Sequence, residues 1–410
     1  MTPQSPVLQS YIAKLENCIA KENGVLLAEI ISISTDHAAT MSSILHLPEF
    51  RISSAISKLT MPWKDMAHFH VNVLRALERN DLTEAATLQN KLCLSFYQIF
   101  PHHTSWSLPV LYVLIRDLRS LSIRADAVLE NGKKASHLEE AARTINRAFS
   151  ACVTDRSSQT NVSRKWGTYF VVNMLFRTYF KLNSTNLCST ILRSLQSADL
   201  PNLSQFPISH QVTFKYYTGI LAFYSENFES ASSSLMFAFD RSLYQTLVDK
   251  LNKQSILAYL VPAQLMRGIL PHPRLFTKYP AIGNIYQEFV HAVRSGNVKR
   301  FDDAFQIHEA ELIRRGTWLT IELVRLLVLR TLFRNVWLIH AKASRIHMSV
   351  FQRALELASG DQPVDSAQVE CFLAIMVDKN FIKGYLSHER QMVVLSNKDP
   401  FPSMKSAMVQ

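Results

Sequence analysis

His308-Glu309 followed by Glu311 is the run in this chain most suggestive of metal or proton-transfer chemistry. A zinc hydrolase of the helical type needs two histidines one turn apart with a carboxylate between them. No second histidine stands at that distance from His308, and His102-His103 has no acidic or cysteine ligand set nearby. Nor does any glycine-rich loop offer successive backbone amides to a phosphate. The expectation is a chain without a catalytic centre, metal or cofactor. The five cysteines (Cys18, Cys93, Cys152, Cys188 and Cys371) lie far apart among apolar neighbours, with no paired spacing for zinc or an iron–sulfur cluster. They read as buried free thiols in a reducing compartment, the cytoplasm or nucleus.

The remaining chemistry is electrostatic. The formal net charge is +11 over 410 residues, which predicts attraction to something acidic without choosing among nucleic acid, peptide or anionic surface. The surplus is local: His291–Arg353 holds eleven Lys or Arg against five Asp or Glu, and Ala354–Gln410 holds five against seven. Candidates for phosphate contact are Lys299 and Arg300, Arg314 and Arg315, and Lys342 and Arg345. Lys379, Lys383 and Arg390 are further candidates. Such groups on one face would bind phosphate in a salt-dependent, sequence-independent way, and the alternative for each is a solvated face. Arg325, Arg330 and Arg334 interrupt an apolar run, where pairing of at least one of them to a carboxylate such as Glu322 is expected instead. They also keep that run from spanning a bilayer. The first residues show neither a basic leader nor an apolar core, so no secretory leader is expected.

The elements that would carry these residues are helical. A pattern of apolar helix, polar turn and second helix recurs from Trp63, with turns at Asn80-Asp81, Asn183-Ser184, the segment before Phe228, and Gly296-Asn297. Leu74 and Leu77 face Ala85, Leu88 and Leu92 in the first copy. In the third, Gly219 and Ala222 allow close backbone approach, and Phe228, Ala231, Leu235 and Ala238 recur at helical spacing. Irregularly spaced units of this kind describe a mostly α, tetratricopeptide-like solenoid. Tyr216, Tyr217, Phe223 and Phe228, with Trp166, Trp318 and Trp337, read as packing anchors. NGKKASHLEE and SADLPNLSQFPISHQ read as connections. Pro262 is expected to kink or restart a helix, and Pro271, Pro273 and Pro280 to form an elbow.

Beyond a long apolar helix from Trp318 to about Ile346, the pattern changes. Met348–Ala358 and Ser366–Asp378 read as two helices, the second capped by Asp365. Val369, Phe372, Leu373, Ile375 and Met376 point largely inward in that second helix. Two strands follow, from Ile382, Tyr385 and Leu386 and from Met392 to Leu395, with Gly384 where a side chain would interfere. This is a winged helix. The organisation is therefore an N-terminal helical extension (1–62), hairpin repeats (63–270), terminal repeats (271–345), a winged helix (346–398) and a tail (399–410).

The stretch from VKRFDDAFQIHEAELIRRG through VECFLAIMVDKNFIKGYLSHERQMVVLSNKDPFP closely resembles the PCI domain, the repeat-plus-winged-helix module of proteasome-lid, signalosome and translation-initiation subunits. VSRKWGTYFVVNMLFRTYFKLNSTNLCSTILRSL, FKYYTGILAFYSENFESA and AYLVPAQLMRG further resemble the branch that supplies the PCI subunit of the nuclear-pore-associated transcription and mRNA-export complex, together with its signalosome-associated relative. The export resemblance implies a non-catalytic subunit in the nucleus, at the envelope or pore, with the cytoplasm second. It implies a larger Sac-type PCI partner, a small acidic Sem/DSS-type peptide, and RNA or DNA held on a composite basic surface. The partner contact would fall on Cys371, Phe372, Ile375, Ile382, Tyr385, Met392 and Val394. The signalosome-associated or splicing-linked resemblance implies a protein-only scaffold instead.

Overall fold

Each repeat hairpin turns on a single residue in the left-handed region: Asn80 (φ 57°), Asn183 (54°), Glu226 (59°) and Gly296 (78°). In three of them the next residue starts the second helix. Asp81, Asn227 and Asn297 accept the backbone N–H of Glu84, Ser230 and Arg300 at 2.9, 3.0 and 2.9 Å. A left-handed closure followed by an Asx cap satisfies the free carbonyls of one helix and the free amides of the next.

The computed structural model describes residues 6–33, 36–128, 136–156 and 160–404. Residues 131–135 of the expected connection NGKKASHLEE lie outside the described residues, as do the last six of the tail, while the rest of that connection, from Ser136, is helical. The chain forms two compact units that divide between Phe214 and Lys215.

The first unit contains α1 (Pro6–Ala20), α2 (Gly24–Ile31), α3 (Asp36–Thr40), α4 (Ser42–Leu45), α5 (Glu49–Ile56), α6 (Trp63–Glu78), α7 (Leu82–Ile99), α8 (Leu108–Val128), α9 (Ser136–Val153), α10 (Thr168–Lys181), α11 (Asn186–Ser197) and the first part of α12 (Ile208–Tyr224). Neighbours in sequence pack against one another, α6 on α7, α7 on α8 and α8 on α9. Phe96, Phe100, Leu114, Ile145, Val171, Leu175 and Phe176 are among its buried side chains.

The second unit continues with α13 (Phe228–Arg241), α14 (Leu247–Met266), α15 (Pro273–Lys278), α16 (Pro280–Ser295), α17 (Val298–Arg315), α18 (Trp318–Ile339), β1 (Arg345–His347), α19 (Met348–Ala358), α20 (Ser366–Asp378), β2 (Gly384–Ser387) and β3 (Met392–Leu395). The architecture is a mostly α-helical repeat solenoid ending in a small sheet of winged-helix type. At Gly219 an added Cβ would stand 2.7 Å from Leu235 Cγ, so the small residue read as a close-approach point is one.

Three sequence readings are corrected. α14 runs unbroken through Pro262, so no new helix starts there. α18 ends at Ile339, seven residues before the expected Ile346; Ala341 and Lys342 turn the chain at φ 53° and 60°, and Arg345–His347 becomes a strand. Asp365 stands at the N-cap of α20 but its side chain makes no capping bond.

Candidate partner interface on the winged helix

Sheet order is β1-β3-β2, both pairings antiparallel, which leaves β1 and β2 as edges. Alternation along the central strand sorts the side chains. Ile346, Val393 and Leu386 lie in register, with Ile346 and Val393 buried, and Leu395 is buried as well. With Val369, Leu373 and Met376 of α20 and Phe351 and Leu355 of α19 they form the core of the module. Gly384 pairs with Leu395, and a Cβ there would sit 2.2 Å from the Val394 carbonyl oxygen.

The same register builds the opposite face. Arg345, Val394 and Tyr385 form one row across the three strands, and His347, Met392 and Ser387 the next. Tyr385 is 62% exposed and Val394 and Met392 are half-buried. Three of the residues expected to meet a partner are thus brought together with Arg345, which sequence reasoning had assigned to phosphate.

The other partner candidates separate from this face. Cys371 is exposed on α20, the one cysteine of the five that is not buried. Phe372 and Ile375 are half-buried, and the Arg325 guanidinium lies 5.9 Å from the Phe372 ring centre. Ile382 is 1% exposed, so it serves the core.

Four of the nine expected phosphate ligands have carboxylate partners. Arg300 donates through Nε and Nη2 to the Glu288 carboxylate, which those bonds hold below its ordinary pKa. Arg314 and Arg315 both bind Glu311, whose pKa the hydrogen bonds from these two arginines lower to about 2. Lys383 lies 3.9 Å from Asp399. Among the described residues Lys299, Lys342, Arg345, Lys379 and Arg390 have no ion-pair partner. These five stand on α17, the turn after α18, β1, the turn after α20 and the β2–β3 turn. Of the three interrupting arginines, Arg325 pairs with Asp302 at 2.8 Å in place of the expected Glu322, and Arg330 donates to backbone carbonyls. Among the described residues no group of three or more His, Cys, Asp or Glu could hold a metal ion, and no helix is long and apolar enough to cross a membrane.

Residues 303–397, from α17 to the end of the wing, match the family model described as PCI domain. Over nearly the whole chain the sequence is similar to proteins named Protein CSN12 homolog. One from Mycosarcoma maydis is 35% identical, covering 94% of this chain and 96% of its own length. One from Schizosaccharomyces pombe is 36% identical, with coverage of 96% and 97%. This chain belongs to the PCI-domain family. A third PCI-domain relative, PCI domain-containing protein 2 of Xenopus laevis, is 30% identical over 97% of this chain and 98% of its own.

These relatives correct the narrower resemblance. A PCI-domain protein whose full-length relatives are CSN12 homologs is not placed in the nuclear-pore mRNA-export branch. The export function, its Sac-type partner, its Sem/DSS-type peptide and the composite RNA- or DNA-binding surface implied with them are therefore set aside. Three of the nine basic candidates, Arg300, Arg314 and Arg315, are held by Glu288 and Glu311. The signal missed in the sequence was β1, three residues that complete the sheet and carry Arg345 onto its outer face.

Proposed function

We propose that this chain is a non-catalytic scaffold subunit of a multi-subunit PCI complex of the signalosome-associated or splicing-linked kind. It docks a neighbouring subunit on the outer face and edges of its winged-helix sheet. The observation that carries the reading is the row Arg345–Val394–Tyr385 beside Met392: an aromatic and two aliphatic side chains on a sheet with two unpaired edges. An exposed aromatic with half-buried apolar neighbours and an arginine beside it is the composition of interface anchors, and an open strand edge is a template for a partner's backbone. The names of the full-length relatives support the type of assembly.

The test is to recover the tagged full chain from the cells that make it and compare it with a Tyr385→Glu/Met392→Glu variant. Sedimentation and identification of co-purifying subunits give the readout, and circular dichroism confirms that both are folded. The native chain should sediment well above its own 46.7 kDa and the variant should lose the docked subunit. A native chain that runs alone, or a variant that retains every partner, removes the reading.

A further inference from the structure

After β3 the chain does not leave the molecule. The Lys383 amide donates to the Pro400 carbonyl and the Ser396 amide to the Lys383 carbonyl, both at 2.8 Å, so the segment runs back beside the start of β2. Phe401 and Met404 are 8% and 9% exposed, and Pro400 and Pro402 are buried. The Phe401 ring lies 5.6 Å from that of Trp337 on α18. Met404 reaches the turn after α14, where Gly268 has φ 72° and an added Cβ would stand 2.5 Å from Met404 Cβ.

One side chain joins these contacts. Arg330, on α18, donates Nε to the carbonyl of Phe381 at the base of the wing at 3.1 Å, and Nη2 to the carbonyl of Pro402 in the tail. Its guanidinium also lies 5.9 Å from the Phe401 ring centre. The charge is half-buried and meets backbone oxygens and an aromatic face, an arrangement that suits the planar, five-donor guanidinium and not an ammonium. A last repeat helix, the wing and the tail are thus held by one group.

We propose that residues 399–404 are a strap that locks the winged helix onto α18, with Arg330 as its clasp and Gly268 as its far anchor. The strap is a short segment outside the helices whose four buried side chains sit on them from one side, so it is a local closure that opens without unfolding the helices beneath it. While closed it gives the sheet one orientation, and a docking surface held in one orientation binds without the loss of having to order it. That consequence rests on the docking reading above, whereas the strap itself does not.

The experiment is hydrogen exchange on the full chain, on Arg330→Met and Phe401→Ser, and on a chain ending at Pro400. Amides of Lys383 and β2 should exchange at least tenfold faster in all three variants, with α16 and α17 amides unchanged. Unchanged protection of the wing overturns the strap. Equal loss of protection in α16, α17 and the wing also overturns it, because the tail would then be an ordinary part of the core. The same variants are assayed for subunit retention by sedimentation. A wing that loosens while assembly persists leaves the strap standing and refutes docking on the sheet, so the two failures are distinguishable.

Discussion

Glu311 holds two arginines one turn away on α17. Its carboxyl titrates at about 2, below the ordinary value, because Arg314 and Arg315 donate to the charged form. A depressed carboxylate pKa adds stability that is fully present above the unfolded-state value and is lost as pH falls through the folded one. The pair is partly solvated, so the increment is the size of a surface pair, about 0.5–1 kcal/mol. Urea midpoints of the native chain should fall between pH 4.5 and 2 by that increment, and Glu311→Gln should lack this part of the fall. Equal acid slopes in the two proteins would show that the ion pairs contribute nothing. The sequence displays Glu311, Arg314 and Arg315 at helical spacing, but it does not say which way two long side chains turn. That Arg314 and Arg315 both turn to Glu311 is therefore seen only in the structure. Gly384 was legible for the opposite reason: only a missing Cβ fits 2.2 Å from the Val394 oxygen, and glycine is a statement about backbone that needs no rotamer.

Elements were legible where a local rule governs them. The hairpin turns are the clearest case, since a left-handed residue and an Asx cap are set by four consecutive residues. Asp81→Ala and Asn227→Ala should each cost about 1 kcal/mol in urea-unfolding midpoints, because each removes an acceptor from a helix amide. Asp365→Ala should cost nothing of that kind, since its side chain makes no capping bond. A loss at Asp365 equal to that at Asp81 would overturn this account of the caps. Gly219→Val tests the packing between α12 and α13. Its Cβ alone falls 2.7 Å from Leu235 Cγ, so overpacking should destabilise by about 1–3 kcal/mol. Where tertiary context governs, sequence reading failed. The apolar run of α18 gives no stop at Ile339, because the turn there uses Ala341 and Lys342 in left-handed conformations instead of a glycine. A three-residue strand such as β1 has no period of its own and exists only because Ile346 can pair with Val393. Pro262 sits in a helix whose neighbours Val261 and Ala263 are fully buried, and that packing outweighs the lost hydrogen bond.

At the scale of the whole molecule, the fold class and the family were legible because they rest on the order of many motifs. The branch was not, since the export and signalosome-associated relatives share most of those motifs. The cysteines report on the molecule as a body. Cys18, Cys93, Cys152 and Cys188 are all buried in the first unit, and Cys371 is exposed on α20 of the second. Burial raises the pKa of all four buried thiols, to about 12 for Cys152 and Cys188, so at pH 8 almost no thiolate is available in those two. The nucleophile in disulfide exchange is the thiolate, and a buried one must also meet the reagent. Under native conditions an aromatic disulfide reagent at pH 8 should therefore release one equivalent quickly, from Cys371. The other four should follow at least a thousandfold more slowly, at a rate set by opening of the first unit. In denaturant all five should react together. Cys371→Ser should abolish the fast phase and leave the slow one unchanged. Two or more fast equivalents in the native chain would mean that a helix pair around Cys18 or Cys188 is open in solution, and the packing of the first unit described above would be wrong at that place.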